Sequence, residues 1–343
     1  MDVETKLTLA LKTPVVEAVT QDELRGLFET NSKPTHYIGF ETSGLLHLGS
    51  LLVTGSVINN LAKAGVQTQV FLADWHAFAN GKLGGDWAKL ESASRYFEQA
   101  FNFYCPKAKI RKGTELYHNN DDYWRNVVKF SLNVTIARAT RTMQILGRSE
   151  HESLDVAKYI YPSMQGVDIK FLGADIAHAG MDQRKVHMLA REVFPKMGWK
   201  PPIALHHSLL PSLSGEEIKM SKSQPDTAIF IHDSAEEIKR KVSKAFCPEK
   251  TVEGNPVLEY AKFLFSLAGA FKVERPAKFG GTVEFESFEA LQGAFSKGDL
   301  HPADLKNAVA ASLEAQVAPI RGHFEKGRPK EHFEAVKSFQ ITR

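Results

Sequence analysis

Strand-like segments alternate with amphipathic helix-like segments through the first half of the chain, and this alternation constrains the fold more than any other feature. The apolar runs 36–40 and 70–78 predict two buried strands. Segments 47–63 and 86–104 repeat apolar residues at helical spacing and predict helices. Because strands that alternate with helices are joined by crossover connections, the sequence predicts an α/β fold with a mostly parallel sheet.

The same alternation continues beyond these segments. Residues 108–111 and 174–180 predict two further strands, and a long helix is predicted near 121–147. The segment that follows Gly180 is predicted to be helical. Residues 196–215 are rich in Pro, Gly and Ser, which predicts loops.

Strand patterns become scarce after residue 233, where helical patterns dominate. These patterns lie at 234–245, 256–269 and 301–320. A helical C-terminal domain is the simplest account of them. We therefore predict three parts: a sheet domain at 1–232, a helical domain at 233–325 and a helical or mobile tail at 326–343.

Composition excludes several classes of protein. Cys105 and Cys247 lie far apart without CxxC spacing, which argues against a disulfide framework or a zinc ribbon and suits a reducing cytoplasm. No stretch approaches the roughly 20 apolar residues of a membrane span, and the acidic start does not resemble a signal peptide. The formal net charge of +3 is only weak evidence for nucleic-acid binding. We expect a cytoplasmic protein without a membrane segment.

The first chemical signal is the sequence HLGS at 47–50, which follows a strand and a turn at the start of a predicted helix. Helix N-termini carry partial positive charge and free N–H groups, so phosphates bind there. His47 at such a position can add a hydrogen bond to a phosphate oxygen. Gly49 lets a nucleotide lie against the backbone. Taken alone, His47 is more often a helix-capping residue than a catalytic one.

The second signal is KMSKS at 219–223, in a loop flanked by Gly and Ser. Lys219 and Lys222 on a mobile loop can close over the pyrophosphate that leaves ATP and match its developing charge. Alone, the segment is equally a solvated loop with two lysines. The two signals in this order, one after the first strand and one after the last, are far more specific for ATP chemistry.

On these motifs the chain resembles the class I aminoacyl-tRNA synthetases, most closely the archaeal and eukaryotic type of tyrosyl-tRNA synthetase, from about residue 20 to about 321. YIGFETSGLLHLGS is similar to the family's YIGFEPSGxxHLGH, with Thr42 in place of proline and Ser50 in place of the final histidine. FLADWHA is similar to LLADLHA, and YPSMQGVDIKFLGADIAHAGMDQRKVHMLARE follows the family pattern closely. KMSKS replaces KMSSS, so Lys222 adds a second cation.

The resemblance implies a Rossmann-like parallel-sheet catalytic domain followed by a helical anticodon-binding domain. It also implies that tyrosine is activated with ATP to tyrosyl-adenylate and transferred to the 3′ end of tRNA(Tyr), with Mg²⁺ on the pyrophosphate and with no protein metal site. The implied catalytic residues are His47, Lys219 and Lys222. The implied ATP-binding residues are Gly39, Gly49, Ser50, Gly180, Asp182, Met220 and Ser221.

A tyrosine pocket must satisfy a phenol that both donates and accepts a hydrogen bond. By resemblance, Tyr37 and Asp168 read that hydroxyl. The ordinary alternatives are a strand core residue and a helix surface charge. By the same resemblance the remaining pocket residues contact the substrate amino group and ring edge, and they are Tyr161, Gln165 and Gln183. A pairing of Tyr161 with Gln165 is also an ordinary contact between residues one helical turn apart.

Asp74 and His76 follow the carboxyl end of a predicted strand, where ligands bind in such sheets. They are weaker candidates than the pocket residues named above.

Two segments of the C-terminal half, KFGG at 278–281 and LHPADLKNAV at 300–309, resemble the family's anticodon-binding segments. They place Phe279, His301 and Asp304 at matching positions, and such side chains suit the reading of splayed RNA bases. Taken alone, HPADL is equally the start of a helix.

The resemblance also places three basic residues against the tRNA acceptor stem: Arg141, Arg184 and Lys185. Without the family placement these residues are solvated surface charges.

Three other functions stay open. A tryptophanyl-tRNA synthetase shares the fold and both signatures, but an indole is only a donor, so a Tyr–Asp pair suits it less well. A small nucleotidyltransferase with an HxGH-type phosphate site is usually shorter and lacks the C-terminal segments. A relative that binds RNA without catalysis is kept open by Ser50. A homodimer is implied by the family alone.

Overall fold

The computed structural model describes residues 1–142, 155–215 and 225–339. The chain divides into two compact units. One, here called the sheet unit, comprises Met1–Gly44, Val57–Ser208 and Glu334–Arg343. The other, here called the helical unit, comprises Leu45–Ser56 and Leu209–Phe333. The domain boundaries at residues 232 and 325 stay predictions.

A six-stranded sheet organises the sheet unit. Its strands, in chain order, are β1 (Val15–Val19), β2 (Thr35–Phe40), β3 (Gln67–Leu72), β4 (Lys109–Lys112), β5 (Ile176–Gly180) and β6 (Ile203–His207). They lie in the order β1-β6-β5-β2-β3-β4, and every neighbouring pair is parallel except β1 with β6. The predicted α/β fold with a mostly parallel sheet is therefore confirmed.

Ten helices lie mostly in the described part of the sheet unit. They are α1 (Val3–Ala10), α2 (Gln21–Thr30), α3 (Thr54–Lys63), α4 (Asp74–Ala79), α5 (Trp87–Tyr104), α6 (Gly113–Tyr117), α7 (Asp121–Ser131), α8 (Ile136–Thr142), α9 (Val156–Phe171) and α10 (Arg184–Val193). The predicted helices at 47–63 and 86–104 correspond to α3 and α5. None of the described helices is long and apolar enough to cross a membrane.

Both faces of the sheet are covered, which explains why its central strands are largely buried. Ile176 on β5 packs in a cluster with residues of α1, α2 and α3. Ala177, the next residue, packs in a second cluster with residues of α7, α9 and α10. Successive side chains of a strand point to opposite faces, so the two clusters lie on the two sides of the sheet. All five residues of β5 are buried.

Two predicted elements differ from the structure. The strand predicted at 70–78 ends at Leu72, and α4 begins at Asp74, whose side chain accepts a hydrogen bond from the Trp75 N–H at 2.9 Å. The helix predicted near 121–147 is two helices within the described residues. The hydroxyl of Thr135 accepts from the Arg138 N–H at 3.2 Å and starts a new helix after α7 has ended.

Strand β6 lies inside the segment that we predicted to be loops. Its sequence IALHH is buried at every residue, although prolines and a lysine surround it. The two histidines disguise the strand because they resemble loop residues, yet both find partners inside the sheet unit. Strand β1 also has no counterpart among the predicted strands.

A row of three buried histidines crosses neighbouring strands of the sheet. His36 Nε2 on β2 lies 3.1 Å from His178 Nδ1 on β5, and His178 Nε2 lies 2.8 Å from His207 Nδ1 on β6. Burial lowers the pKa of His36 to about 3 and that of His207 to about 4. The row is therefore neutral at physiological pH, and its facing ring nitrogens pair with one another.

The helical unit contains the remaining elements. They are α11 (Ala235–Lys244), α12 (Pro256–Ala268), β7 (Phe271–Val273), β8 (Val283–Phe285), α13 (Phe288–Lys297), α14 (Pro302–His323) and most of α15 (Gly327–Lys337), whose residues 334–337 belong to the sheet unit. The predicted helical patterns correspond to α11, α12 and α14, so the helical character of this part is confirmed. The hairpin of β7 and β8 is an addition, and the predicted tail contains α15.

Helices α7 and α9 approach closely at a glycine. A Cβ atom on Gly166 would lie 2.6 Å from two ring atoms of Phe130. Both helices carry side chains of the candidate site, so this close approach helps to position it. Gly166 is therefore required by space, although glycine inside a helix costs about 1 kcal/mol relative to alanine.

We expect Gly166→Ala to lower the free energy of unfolding by about 1–3 kcal/mol, because the added methyl group overpacks the contact with Phe130. Urea unfolding followed by circular dichroism measures the change. Gly26→Ala in α2 is the matched control, since nothing lies within 4 Å of a Cβ at that position. It should be neutral or stabilising by up to about 1 kcal/mol. Equal effects of the two substitutions would contradict the packing argument.

Candidate active site

Helix α9 carries three of the predicted pocket residues. Tyr161, Gln165 and Asp168 are spaced four and then three residues apart, so they share one face of the helix. The helix begins where the Asp155 carboxylate accepts the Lys158 N–H at 3.2 Å. Asp168 is fully buried in the sheet unit. The alternative of a surface charge is therefore wrong for Asp168.

The two oxygens of the Asp168 carboxyl have different surroundings. Oδ1 accepts hydrogen bonds from the Tyr117 hydroxyl at 2.9 Å and from the Tyr123 hydroxyl at 2.8 Å. Oδ2 is buried and has no hydrogen-bond partner among the described residues. Burial raises the pKa of Asp168 to about 8, and the bonds from the two tyrosines oppose that rise. One oxygen is thus occupied by the protein and the other is open.

His76 on α4 lies beside this carboxyl. Its Nε2 is 3.5 Å from Asp168 Oδ2 and makes no hydrogen bond within the described chain. Its Nδ1 lies 3.3 Å from the Tyr117 hydroxyl oxygen. The ring also meets that of Tyr161 edge-on, with centroids 4.4 Å apart. Burial lowers the pKa of His76 to about 3, so the ring is neutral.

Tyr37 reaches the same region from β2. Its side chain is buried, and burial together with the charge of Asp168 raises the pKa of its hydroxyl. The hydroxyl oxygen would lie 2.7 Å from a Cβ on Gly39. Only glycine at position 39 therefore leaves room for the Tyr37 hydroxyl in this position.

Tyr161 points to a second polar group in the sheet unit. Its hydroxyl donates to Glu41 Oε1 at 2.9 Å, and Glu41 also accepts from Asn80 Nδ2 at 2.9 Å. Lys82 Nζ lies 3.7 Å from the same carboxylate. Gln165 Oε1 is buried without a hydrogen-bond partner among the described residues. This part of the site offers acceptors to a cation.

Asp74 holds two helix starts together and lies mostly buried. Its carboxylate accepts from the Thr114 N–H at 3.0 Å and from the Thr114 hydroxyl at 2.6 Å. These bonds tie the start of α4 to the start of α6, which carries Tyr117. Burial raises the pKa of Asp74 despite these bonds. Its role in the structure is to position neighbouring elements.

The carboxyl end of β5 leads into a short 3₁₀ turn, Met181–Gln183. Gly180 is buried at the strand end, and Asp182 and Gln183 are half-buried. Asp182 raises the pKa of His207, although burial of that ring dominates. Two predicted candidates, Gly180 and Asp182, thus lie together at the edge of the sheet where ligands bind in such folds.

The basic residues predicted at the acceptor stem have different surroundings. Arg184 Nε donates to Glu17 Oε2 at 2.8 Å, and that carboxylate oxygen also lies 2.7 Å from His206 Nδ1. Arg141 at the end of α8 and Lys185 on α10 are exposed. Arg184 is therefore held by an ion pair, whereas the other two side chains reach solvent.

The HLGS motif lies in the helical unit at the start of a helix, as its position after a turn predicts. The Leu48 N–H donates to the Ile229 carbonyl at 2.9 Å, and a π-helical turn at Gly49–Val53 leads into α3. His47 Nδ1 accepts from the Ser50 N–H at 3.3 Å. His47 therefore caps the first turn. The predicted residues Lys219, Met220, Ser221 and Lys222 lie outside the described residues.

The predicted anticodon-binding residues also lie in the helical unit. His301 is the N-cap of α14, and its Nδ1 accepts from the Ala303 N–H at 3.1 Å. Asp304 is in the first turn of the same helix. The helix-start explanation of this segment is therefore correct as local structure. Phe279 ends a short 3₁₀ turn, Ala277–Phe279.

The sequence missed three side chains of the site: Tyr117, Tyr123 and Glu41. Both tyrosines follow β4, whose carboxyl end lies at the same edge of the parallel sheet as those of β2 and β3. That position in the chain was a usable signal, because polar side chains at this edge face ligands. Glu41 directly follows β2 and carries the same signal.

Comparisons with known proteins identify a family. A family model described as "tRNA synthetases class I (W and Y)" matches residues 29–318. The tyrosine–tRNA ligase of Pyrococcus abyssi is 44% identical, and the alignment covers 100% of both chains.

Two solved structures are similar over nearly the whole chain. The tyrosyl-tRNA synthetase of Pyrococcus horikoshii, solved with L-tyrosine, has a TM-score of 0.90 at 43% identity and covers 98% of this chain and 100% of that one. The tyrosyl-tRNA synthetase of Aeropyrum pernix has a TM-score of 0.87 at 40% identity and covers 98% and 99%.

The raised pKa of Asp168 has a consequence for stability. As pH rises through the ordinary value of 3.8, the unfolded chain releases this proton, whereas the folded chain keeps it up to about pH 8. The folded state therefore loses stability through this group between about pH 4 and 8. We expect Asp168→Asn, which keeps the shape without the charge, to become progressively more stable than the wild type over that range.

Denaturant unfolding of both proteins between pH 4 and 8 measures this difference. Asp155→Asn on the same helix is the control, because the bond to Lys158 lowers the pKa of Asp155. Its effect should have the opposite sign: the wild type should be the more stable, by an amount that stays constant between pH 4 and 8 because the lowered pKa of Asp155 lies below that range. A difference between wild type and Asp168→Asn that does not change with pH would refute a raised pKa.

Proposed function

The chain belongs to the class I aminoacyl-tRNA synthetases for tryptophan and tyrosine, and within them it is a tyrosine–tRNA ligase; we propose that its amino acid is selected at Asp168. The observation that carries this proposal is the buried carboxyl with one open oxygen. ATP and tRNA are its further substrates. In the proposed reaction the tyrosine carboxylate attacks the α-phosphorus of ATP and pyrophosphate leaves. The acyl group then passes to a ribose hydroxyl at the tRNA 3′ end.

Selection of tyrosine follows from hydrogen-bond partners. The phenol O–H donates to Asp168 Oδ2, and the hydroxyl of Tyr37 completes the pair by donating to the phenol oxygen. Phenylalanine would leave both protein groups buried and unpaired, which such sites reject strongly. An indole could donate to Asp168 but could not accept from Tyr37. The Tyr37–Asp168 arrangement therefore favours tyrosine over both.

The ammonium group of the substrate needs acceptors, and the group around Tyr161 supplies them. Gln165 Oε1 is buried without a hydrogen-bond partner in the described chain, which is costly unless a ligand provides a donor. The Glu41 carboxylate adds a compensating charge next to Tyr161. We assign Tyr161, Gln165 and Glu41 to the amino group of the substrate and Gln183 to the edge of the substrate's aromatic ring.

Nucleotide binding follows the sequence motifs. Asp182 would accept the ribose hydroxyls beside the backbone of Gly180 and Gly39. His47, Gly49 and Ser50 at the start of the helix would bind phosphate oxygens through N–H groups and the imidazole. Lys219 and Lys222, with Met220 and Ser221 between them, would stabilise the leaving pyrophosphate.

Mg²⁺ in this proposal is the counter-ion of the ATP phosphates. Residues 1–142, 155–215 and 225–339 contain no group of three or more His, Cys, Asp or Glu side chains that could hold a metal ion. Oxygen ligands from the substrate suit Mg²⁺, which usually keeps few protein ligands.

For tRNA(Tyr), the exposed Arg141 and Lys185 are suited to phosphate contacts on the acceptor stem. Arg184 would have to leave its ion pair with Glu17 to join them, or would position that carboxylate instead. His301, Asp304 and Phe279 are the proposed anticodon contacts. We place the reaction in the cytoplasm, where Cys105 and Cys247 stay reduced.

A homodimer is supported by an exposed apolar face on the sheet unit. Val128 near the end of α7, Leu132 directly after that helix and Ile136 at the start of α8 are 61%, 82% and 75% exposed. Large apolar side chains grouped in this way mark contact surfaces. We propose that this face of a second copy covers them.

We expect ATP–pyrophosphate exchange that depends on tyrosine. The measurement is incorporation of labelled pyrophosphate into ATP with each amino acid in turn, in the presence of Mg²⁺. Exchange with tyrosine alone would support the proposed function. Exchange driven by tryptophan, or exchange with no amino acid at all, would overturn it.

The dimer has its own test. Leu132→Glu should convert a species of twice the chain's 38.2 kDa to the single-chain mass in light scattering coupled to gel filtration, because a charge would be buried in the contact. Val16→Glu is the matched control, since Val16 on β1 is 59% exposed but lies outside the proposed face. A wild type of single-chain mass, or equal effects of both substitutions, would contradict this interface.

A further inference from the structure

Asp168, His76 and Tyr117 form a closed ring of neighbouring polar atoms. Tyr117 Oη lies 2.9 Å from Asp168 Oδ1, His76 Nδ1 lies 3.3 Å from Tyr117 Oη, and His76 Nε2 lies 3.5 Å from Asp168 Oδ2. All three side chains are almost completely buried, which makes an unpaired polar atom costly. The protons that pair these atoms therefore have to come from the three side chains themselves.

Counting those protons leaves one consistent arrangement. The single hydroxyl proton of Tyr117 is donated to Asp168 Oδ1, so its oxygen can only accept from His76. His76 Nδ1 must then carry the proton of the neutral imidazole, which leaves Nε2 as a bare acceptor. A bare nitrogen facing a carboxylate oxygen would set two lone pairs against each other. A proton on Asp168 Oδ2 removes the conflict and closes the ring.

We propose that Tyr117 and His76 are positioning residues that hold Asp168 as a neutral carboxylic acid, so that the site reads its substrate with an acid rather than a carboxylate. The proton on Oδ2 points to His76 Nε2, and the remaining lone pair of Oδ2 accepts the substrate hydroxyl. The inference rests on the proposed function for the identity of that substrate. The raised pKa of Asp168, about 8, agrees with a neutral acid at physiological pH.

Burial raises the pKa of Asp168, and the neighbouring polar groups act on it in both directions. Asp74 on α4 is a second carboxylate whose charge raises the pKa of Asp168. Tyr123 and Tyr117 both donate to Oδ1 and lower the pKa of Asp168, but only Tyr117 also lies next to His76. The other titratable groups that interact with Asp168 are the hydroxyls of Tyr37 on β2 and Tyr161 on α9.

Tyr117→Phe and Tyr123→Phe form a matched pair of variants. Each removes one donor from Asp168 Oδ1 and keeps the aromatic ring in place. Only Tyr117→Phe also frees His76, which can then move its proton to Nε2 and donate to Oδ2. That change favours the carboxylate and occupies the oxygen reserved for the substrate. The difference between the two variants therefore measures the effect of the contact between Tyr117 and His76 on Asp168.

The first readout is independent of activity. Infrared difference spectra between wild type and Asp168→Asn at pH 6.5 should contain the C=O band of a protonated carboxylic acid. The band should persist in Tyr123→Phe and weaken or vanish in Tyr117→Phe. Its absence from the wild type overturns the inference, whatever the enzyme's activity. Urea unfolding of both variants establishes that they are folded.

The second readout is pyrophosphate exchange. We expect Tyr117→Phe to raise the KM for tyrosine about tenfold, the loss of one hydrogen bond, with kcat and the KM for ATP little changed. Tyr123→Phe should raise it less. Equal rises in the two variants refute the positioning role of Tyr117 and His76. If the wild type shows no exchange with tyrosine, the proposed function fails, while the infrared result still decides the protonation of Asp168.

Discussion

Burial of the Asp168 carboxyl is the constraint on which the sheet unit depends most. A carboxyl group deprived of water is costly unless hydrogen bonds replace the solvent. Here α6 supplies Tyr117 and α7 supplies Tyr123, while α4 brings His76 to the other oxygen. Side chains from three helices, α4, α6 and α7, thus surround one carboxyl group on α9. The connections of these helices to the sheet have to place those side chains within hydrogen-bonding distance of the carboxyl group.

Close packing, rather than additional charged groups, holds the helices around Asp168 in place. Gly166 lets Phe130 of α7 approach α9, and the bond from Thr114 to Asp74 joins the start of α6 to that of α4. Gly39 leaves room for the Tyr37 hydroxyl on β2. Each of these details is a spacing requirement, and together they leave little room for displacement of the helices.

The sequence predicted the architecture well because apolar periodicity and the order of strands and helices are local properties. The HLGS motif was correctly placed at a helix start, and Asp168, which the resemblance singles out, is buried and accepts hydrogen bonds from two tyrosines. Tyr117 and Tyr123 escaped notice because what defines them is a shared partner 51 and 45 residues further along the chain. Strand β6 was missed because its two histidines look polar in sequence, and only tertiary structure supplies the partners that make them core residues.

The row of His36, His178 and His207 behaves as one polarised unit rather than three separate side chains. Each neutral imidazole has a single N–H, so the direction of the first bond fixes the tautomer of the next and then of the last. His36 Nδ1 has no hydrogen-bond partner among the described residues. Leaving this nitrogen unpaired costs least free energy when it carries no proton, so that every N–H group in the row points towards His207. His207 lies at the end of its strand, beside Asp182. The row then acts as a short dipole set into the sheet, with its positive end at the edge where the candidate nucleotide residues lie.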